Sequence, residues 1–348
     1  MDGPDDPSPR DLDRRRFLRL AATAAAGGGW QADAERPGVI VLHDGATLGH
    51  APRPGHPESP RRLEAALNGV RPLADARRVS LAAPRPAIDA EVLRVHSPGY
   101  LATVRAEVAA GRTTLSTGDT DISADSLTAA LAAAGCVISA ADAVLTGKAR
   151  RAFCAVRPPG HHASRERGMG FCVFNNLAIG LRHAQQRHGV GRVLVVDWDV
   201  HHGNGTQDLF ASDGSVLFFD THQHPWYPGT GLRDEVGSGR GRGLIVNRPF
   251  AAGAGKDEIL TAFREDLVPA AERFKPELVM ISAGFDSRAG DPLGRFRLTD
   301  EDFAELTRVV VAIAQAHAGG RVISVLEGGY SLQGLESATR AHVAALAS

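Results

Sequence analysis

After Glu35 the chain alternates short, β-branched apolar runs with longer stretches rich in Ala and Leu. That alternation predicts strand and helix units repeated around a mostly parallel sheet. Residues 38–42, 152–156, 193–197, 216–219, 278–282 and 322–326 read as buried strands. Apolar spacing predicts helices over 58–70, 126–145, 176–188, 256–273 and 300–318. The densest Gly and Pro segments, 157–162 and 227–243, follow strands and so read as loops at the carboxyl edge of the sheet. Open α/β folds place their sites at that edge.

No internal repeat or low-complexity linker interrupts the pattern, so residues 35–348 read as one domain. At 348 residues the chain is long enough to bury a substantial core. Its 39 Lys and Arg nearly cancel its 40 Asp and Glu, which removes the bulk field that nucleic acid or an anionic membrane would call for. A small or locally charged substrate fits better. The three cysteines, Cys136, Cys154 and Cys172, form no C-x-x-C pair and argue against a disulfide framework.

The first 34 residues differ from the rest. Asp13 is followed by Arg14, Arg15, Arg16, Phe17, Leu18 and Arg19, then by small residues up to Gly29, and Ala32 and Ala34 frame an A-x-A cleavage position. This reads as a twin-arginine secretory signal removed before Glu35, with a periplasmic or secreted destination. Its apolar part is too short and Gly-rich to span a bilayer. A plain N-terminal tail with a chance arginine run is the alternative, and it would leave the chain in the cytoplasm.

The strongest local signal is VLVVDWDVHHGNG, from Val193 to Gly205, an apolar strand ending in alternating polar residues. Strand geometry would turn Asp197, Asp199 and His201 to one side. Such a row is costly in a buried strand without a partner, and a cation is the simplest one; the plain alternative is a solvated strand end whose Asp and His cap turns. A second strand, 278–282, runs into Asp286, which supplies a further carboxylate. Three protein ligands leave a position for water, as a catalytic rather than a structural metal site requires. Two carboxylates with one imidazole form a harder set than the common zinc triads, so Fe²⁺, Co²⁺ or Mn²⁺ could also occupy a site for which Zn²⁺ is the first expectation. The rigid loop RPPGHHA brings His161 and His162, and an imidazole there suits removal of a proton from water and its delivery to a leaving amine. After Gly328 and Gly329, Tyr330 could donate a hydrogen bond to a developing oxyanion.

These segments resemble the class II histone deacetylases and their bacterial relatives, the acetylpolyamine amidohydrolases among them. The motifs are RPPGHHA (157–163), GFCVFNN (170–176), DWDVHHGNG (197–205), SAGFDSRAGDPLG (282–294) and LEGGY (326–330), with HPESPRRL (56–63) and VHSPGY (95–100) upstream. The resemblance covers essentially the whole chain after the N-terminal segment. It implies the arginase/deacetylase α/β fold, a single domain built on a mostly parallel sheet of about eight strands flanked by helices, and Zn²⁺-dependent hydrolysis of an N-acetyl amide. It implies Asp199, His201 and Asp286 as metal ligands, His162 as general base and acid, and His161 as the partner that stabilises charge. Asp197 would stand behind His161 and Asn204 behind His162. Tyr330 takes the electrophile position, Phe171 and Tyr227 the aromatic walls of a substrate tunnel, and Gly170 the carbonyl that receives the substrate N–H. Leu293 takes a gatekeeper position and Arg62 lines the cavity through which acetate leaves. A structural K⁺ near Asp197, Asp199 and His201 also follows from the resemblance.

The implied partner is a small-molecule or peptide N-acetyl amide: acetyl-lysine, an acetylated polyamine or another small amide. Polyamine-selective relatives carry a glutamate where this chain has Leu293, so the apolar residue favours a neutral linker or broad specificity. If the chain is exported, a histone is not its natural substrate. A ureohydrolase of the same fold would use two manganese ions and the pattern D-x-H-x-D, whereas Asp197, Asp199, His201 and His202 run D-x-D-x-H-H. A non-catalytic binding protein would have no need of His161, His162 and Tyr330 together.

Overall fold

The computed structural model describes residues 38–348, so the twin-arginine segment and the boundary at residue 34 lie outside the described residues. Eight strands form one all-parallel sheet: β1 (Val39–Leu42), β2 (Ser80–Ala82), β3 (Arg151–Cys154), β4 (Val193–Asp197), β5 (Val216–Gln223), β6 (Ile245–Phe250), β7 (Leu278–Ala283) and β8 (Val322–Leu326). Their order is β2-β1-β3-β8-β7-β4-β5-β6. The strands read as unbroken apolar runs because both faces are covered. In β4, Val193 and Val195 enter a core cluster with Val137 and Leu177, while Leu194 and Val196 enter the opposite one with Phe263, Phe303 and Leu335.

The two unanticipated strands are the edges. β2 has only three residues, and β6 carries Asn247, Arg248 and Pro249 at its centre, a polar edge that blunts pairing with another chain. Helices Ser126–Leu145 and Asn176–His188 have the bounds their apolar spacing predicts. The first is long and apolar enough to cross a membrane, yet most of it is buried against the sheet. The helix expected over 256–273 is interrupted by a π turn at Phe263–Leu267, because Pro269 at the start of Val268–Phe274 lacks an N–H and the ladder must shift register. Helices Pro98–Ala109 and Leu332–Leu346 were not foreseen, and the second packs so closely on Arg61–Asp75 that a side chain at Gly69 would overlap the Glu336 carbonyl.

The helix expected from residue 58 starts at Arg61, because Glu58 is engaged elsewhere. Arg157 donates Nε to Glu58 Oε1 at 2.9 Å and Nη2 to Oε2 at 2.6 Å, and Arg62 Nη1 donates to Oε1 at 3.3 Å. All three side chains are fully buried, with His50 Nε2 3.4 Å from Oε2. Burial would raise the Glu58 carboxyl, but Arg157, His50 and Arg62 overcome it and hold it at about 2. Glu58→Gln is therefore expected to destabilise the chain by about 3–5 kcal/mol, read as a shift in urea midpoint at pH 7, because two buried guanidinium groups lose their counter-charge. A depressed carboxyl stabilises fully above its unfolded pKa of 4.5 and loses that contribution as pH falls towards about 2, so the difference between the two proteins should shrink on acidification.

Candidate active site

Strands β3, β8, β7 and β4 lie side by side, so the loops that follow them meet at the carboxyl edge although they are far apart in sequence. β4 ends at Asp197, and this corrects the expectation that strand alternation alone aligns Asp197, Asp199 and His201. The chain beyond β4 instead makes two successive side-chain turns: Asp199 N donates to Asp197 Oδ1 at 3.0 Å, and His201 N donates to Asp199 Oδ1 at 2.9 Å. Asp286, after β7, accepts Val200 N on Oδ1 at 2.9 Å. Asp199 and Asp286 are fully buried and His201 nearly so. Ligand atoms of Asp199, His201 and Asp286 all lie within 4.8 Å of one another, with His201 Nδ1 3.0 Å from Asp199 Oδ1 and 3.2 Å from Asp286 Oδ2.

This cluster fits a divalent cation. Asp286 Oδ2 is buried without a well-aligned hydrogen bond, which a native core tolerates only for a reason. Burial and the adjacent Asp199 carboxylate push the Asp286 carboxyl up to about 7. Glycine is needed at 284 and 328, where a Cβ would overlap the Asp199 and Asp286 carboxylates. Gly328 N also donates to Asp199 Oδ2 at 2.8 Å.

His161 and His162 sit side by side with ring centroids 4.0 Å apart, and their neighbours differ. His161 Nδ1 is 3.1 Å from Asp197 Oδ2; burial alone would lower its pKa, but Asp199 and Asp197 hold it well above 6.5. His162 Nδ1 is 2.8 Å from Asn204 Oδ1, a neutral acceptor. Burial, then the charges of His161 and His201, hold His162 well below 6.5. The loop carrying the pair is fastened by Glu327, whose Oε2 accepts Gly160 N at 2.6 Å and His161 N at 3.1 Å.

Tyr330 follows Gly329, and its backbone N–H donates to Asp291 Oδ2 at 2.7 Å. Burial, together with Asp286 and Asp199, keeps its phenol protonated despite Arg62. Arg62 is fully buried beneath it, 4.8 Å from the ring centroid, and donates Nε to Gly329 O at 2.7 Å and Nη2 to Glu327 O. The Tyr227 ring lies 5.2 Å from His162 and 6.1 Å from His201, and Phe171 lies 5.9 Å from Tyr330, so the two expected aromatic walls flank the buried cluster. Gly170 and Phe171 both have positive φ, at 56° and 68°, and a side chain at 170 would overlap the His162 ring. Leu293 is half-buried, with its carbonyl accepting Trp226 Nε1 at 2.9 Å, which ties its loop to the Trp226–Tyr227 segment.

Residues 56–346 match the histone deacetylase domain family. The chain belongs to the histone deacetylase family. This deacetylase is 41% identical over 299 residues to the histone deacetylase-like amidohydrolase of Pseudomonas aeruginosa, covering 85% of this chain and 78% of that protein. It is 44% identical over 289 residues to the human polyamine deacetylase HDAC10, covering 80% of this chain and 43% of that protein. Its structure is similar to the HDA15 HD domain, with a TM-score of 0.84, 36% identity and 89% of each chain covered. The fold is the arginase/deacetylase fold, and the activity class is hydrolysis of amide bonds.

Three carboxylates around the candidate site escaped the sequence reading. Glu327 was visible only as part of LEGGY. Asp291 lies within GDPLG and joins Tyr330 N, Ser331 N and Leu293 N through its two oxygens, at 2.7, 2.9 and 2.9 Å. Asp119 is exposed, accepts Gly170 N at 2.8 Å and Tyr227 Oη at 3.3 Å, and had no motif around it to mark it.

Proposed function

We propose that this chain removes an acetyl group from a linear N-acetylated amine, with Zn²⁺ held by Asp199, His201 and Asp286. The observation that carries the reading is the buried cluster of Asp199, His201 and Asp286, whose ligand atoms lie within 4.8 Å of one another and whose Asp286 Oδ2 makes no well-aligned hydrogen bond, beside the adjacent rings of His161 and His162. Zn²⁺ bound there would polarise the amide carbonyl and acidify the adjacent water. His162, neutral and with Nδ1–H donated to Asn204, takes the water proton on Nε2 and returns it to the departing amine. His161, kept cationic by Asp197 and Asp199, stabilises the charge that develops. Tyr330 donates its phenol proton in a hydrogen bond to the oxyanion. Phe171 and Tyr227 clamp the linker, the Gly170 carbonyl accepts the amide N–H, and Arg62 lines the acetate exit. A structural K⁺ near Asp197, Asp199 and His201 belongs to the same reading, and the likeness to the histone deacetylase family supports it.

An acetylpolyamine as the substrate is a second reading, supported by the exposed Asp119 carboxylate beside Tyr227, which would attract a cationic chain, and by the likeness to a polyamine deacetylase. Leu293 pulls towards a neutral linker. Export through the N-terminal segment, if it occurs, favours a small acetylated amine or peptide over a histone.

The test is turnover of acetyl-lysine peptide, trifluoroacetyl-lysine peptide and N-acetylated polyamines by the Zn²⁺-loaded full chain. Turnover abolished by a chelator and by a hydroxamate supports the reading, and relative kcat/KM ranks the amines; a metal-loaded chain inert on every member overturns it. Tyr330→Phe should lower kcat by about 10²- to 10³-fold with KM little changed. An unchanged kcat rejects the role of the phenol.

A further inference from the structure

A second cluster of metal-ligating side chains lies away from the catalytic loops. Helix Asn176–His188 starts beside the catalytic loop and runs back along the sheet, so His183 and His188 stand roughly 10–18 Å further along its axis. Asp142, in the last turn of helix Ser126–Leu145, meets both. His183 Nε2 is 2.8 Å and His188 Nε2 2.7 Å from the same oxygen, Asp142 Oδ1, and all three ligand atoms lie within 4.8 Å of one another. His183 is 6% exposed, His188 16% and Asp142 43%, so the cluster is anchored inside and open to solvent on one side.

We propose that Asp142, His183 and His188 bind a divalent late transition cation such as Zn²⁺, independently of the catalytic set. Two imidazoles and one carboxylate are a ligand set that zinc accepts, with water completing the shell. Ligand atoms around tetrahedral zinc, at bonds of about 2.0–2.1 Å, stand about 3.3 Å apart. The observed 2.7 and 2.8 Å need a widening of only about 0.6 Å, within reach of small side-chain rotations.

The surroundings supply the supporting contact. Without metal, Arg94 Nη1 donates to His183 Nδ1 at 3.2 Å, which puts the ring proton on Nε2, where it is shared with Asp142. Metal on Nε2 requires the proton on Nδ1, and Glu91 Oε1 waits there at 3.6 Å; Arg85 holds that carboxylate, donating Nη2 to Oε1 at 2.5 Å and Nη1 to Oε2 at 2.9 Å. A carboxylate behind a ligating imidazole is the usual arrangement. Loading would exchange Arg94 for Glu91 as the partner of His183 and staple together the last turns of two core helices and the short helix Asp89–Val92. The order of these residues hides the cluster, since positions five apart on a helix do not share a face and Asp142 is 41 residues from His183.

The test uses the untagged full chain, equilibrated with Zn²⁺, passed through gel filtration and analysed for metal. The Asp286→Asn chain reads this cluster alone: it should retain one equivalent, show a rise in melting temperature on Zn²⁺ addition, and take up Co²⁺ with visible d–d absorption. Adding His188→Gln should remove the metal, the melting shift and the absorption. His188→Gln by itself should carry one equivalent fewer than the unaltered chain and keep its deacetylase turnover. Asp142→Asn, a near-isosteric change, repeats the comparison should His188→Gln fold poorly. An Asp286→Asn chain that leaves the column free of zinc overturns the proposal, as does metal retention that neither His188→Gln nor Asp142→Asn diminishes.

Discussion

Changing His162 to Ala is expected to lower kcat on the order of 10³-fold or more while metal content stays that of the unaltered chain. The ring donates Nδ1–H to Asn204 Oδ1 at 2.8 Å, which leaves the Nε2 lone pair as its only free site. Burial and the nearby charge of His161 keep it neutral, so at pH 7 it is ready to accept a proton. His161 cannot substitute, because Asp197 and Asp199 hold it protonated. The division follows from what stands behind each ring: a buried carboxylate stabilises imidazolium, whereas an amide oxygen fixes the tautomer without adding charge. Single-turnover kinetics with metal analysis on the same sample give the answer. Loss of metal from His162→Ala would mean that the imidazole is a ligand rather than the base, and turnover near that of the unaltered chain would move the base elsewhere.

Much of this arrangement is legible in the sequence because the histidine pair, the candidate metal ligands and Tyr330 each follow a buried strand. The runs before Arg157, before Asp199, before Asp286 and before Tyr330 are apolar on both faces, and the chemistry begins where each run ends. What sequence order hides is that these strands become the four neighbours β3, β8, β7 and β4. The strand-alternation argument for Asp197, Asp199 and His201 rested on a strand that in fact ends at Asp197, because short aspartates competed with the strand for the following N–H groups and turned the chain. Edge strands were missed for the reason that makes them edges: half their surface faces water, so β6 tolerates Asn247, Arg248 and Pro249. Glu58 was read as a helical residue, since nothing local announces that Arg157, 99 residues away, will bury its guanidinium against it. Asp119 and Asp291 act by accepting backbone N–H groups from other loops, and such contacts leave no periodicity to find.

Asp286→Asn should cost the chain one equivalent of zinc and essentially all turnover, while making the metal-free protein more stable near neutral pH. Both effects come from one atom. Asp286 Oδ2 makes no well-aligned hydrogen bond, faces His201 Nδ1 at 3.2 Å and shares a fully buried space with the Asp199 carboxylate. Without a cation, burial and the Asp199 charge raise the Asp286 carboxyl from 3.8 to about 7. A carboxyl raised on folding binds its proton more tightly in the native state, so the metal-free chain loses stability as pH climbs from about 4 through about 7. An amide has no such proton, and the variant's urea midpoint should vary less over that window. The same proton competes with metal, so the zinc affinity of the unaltered chain should fall as pH drops below about 7, towards tenfold per unit. On the proposed ligand set, the empty site would give up stability for an oxygen whose carboxylate is held on its other side by Val200 N, 2.9 Å away. Full zinc occupancy in Asp286→Asn would remove Asp286 from the ligand set, and a variant less stable than the unaltered chain without metal would show that the two carboxylates do not strain one another.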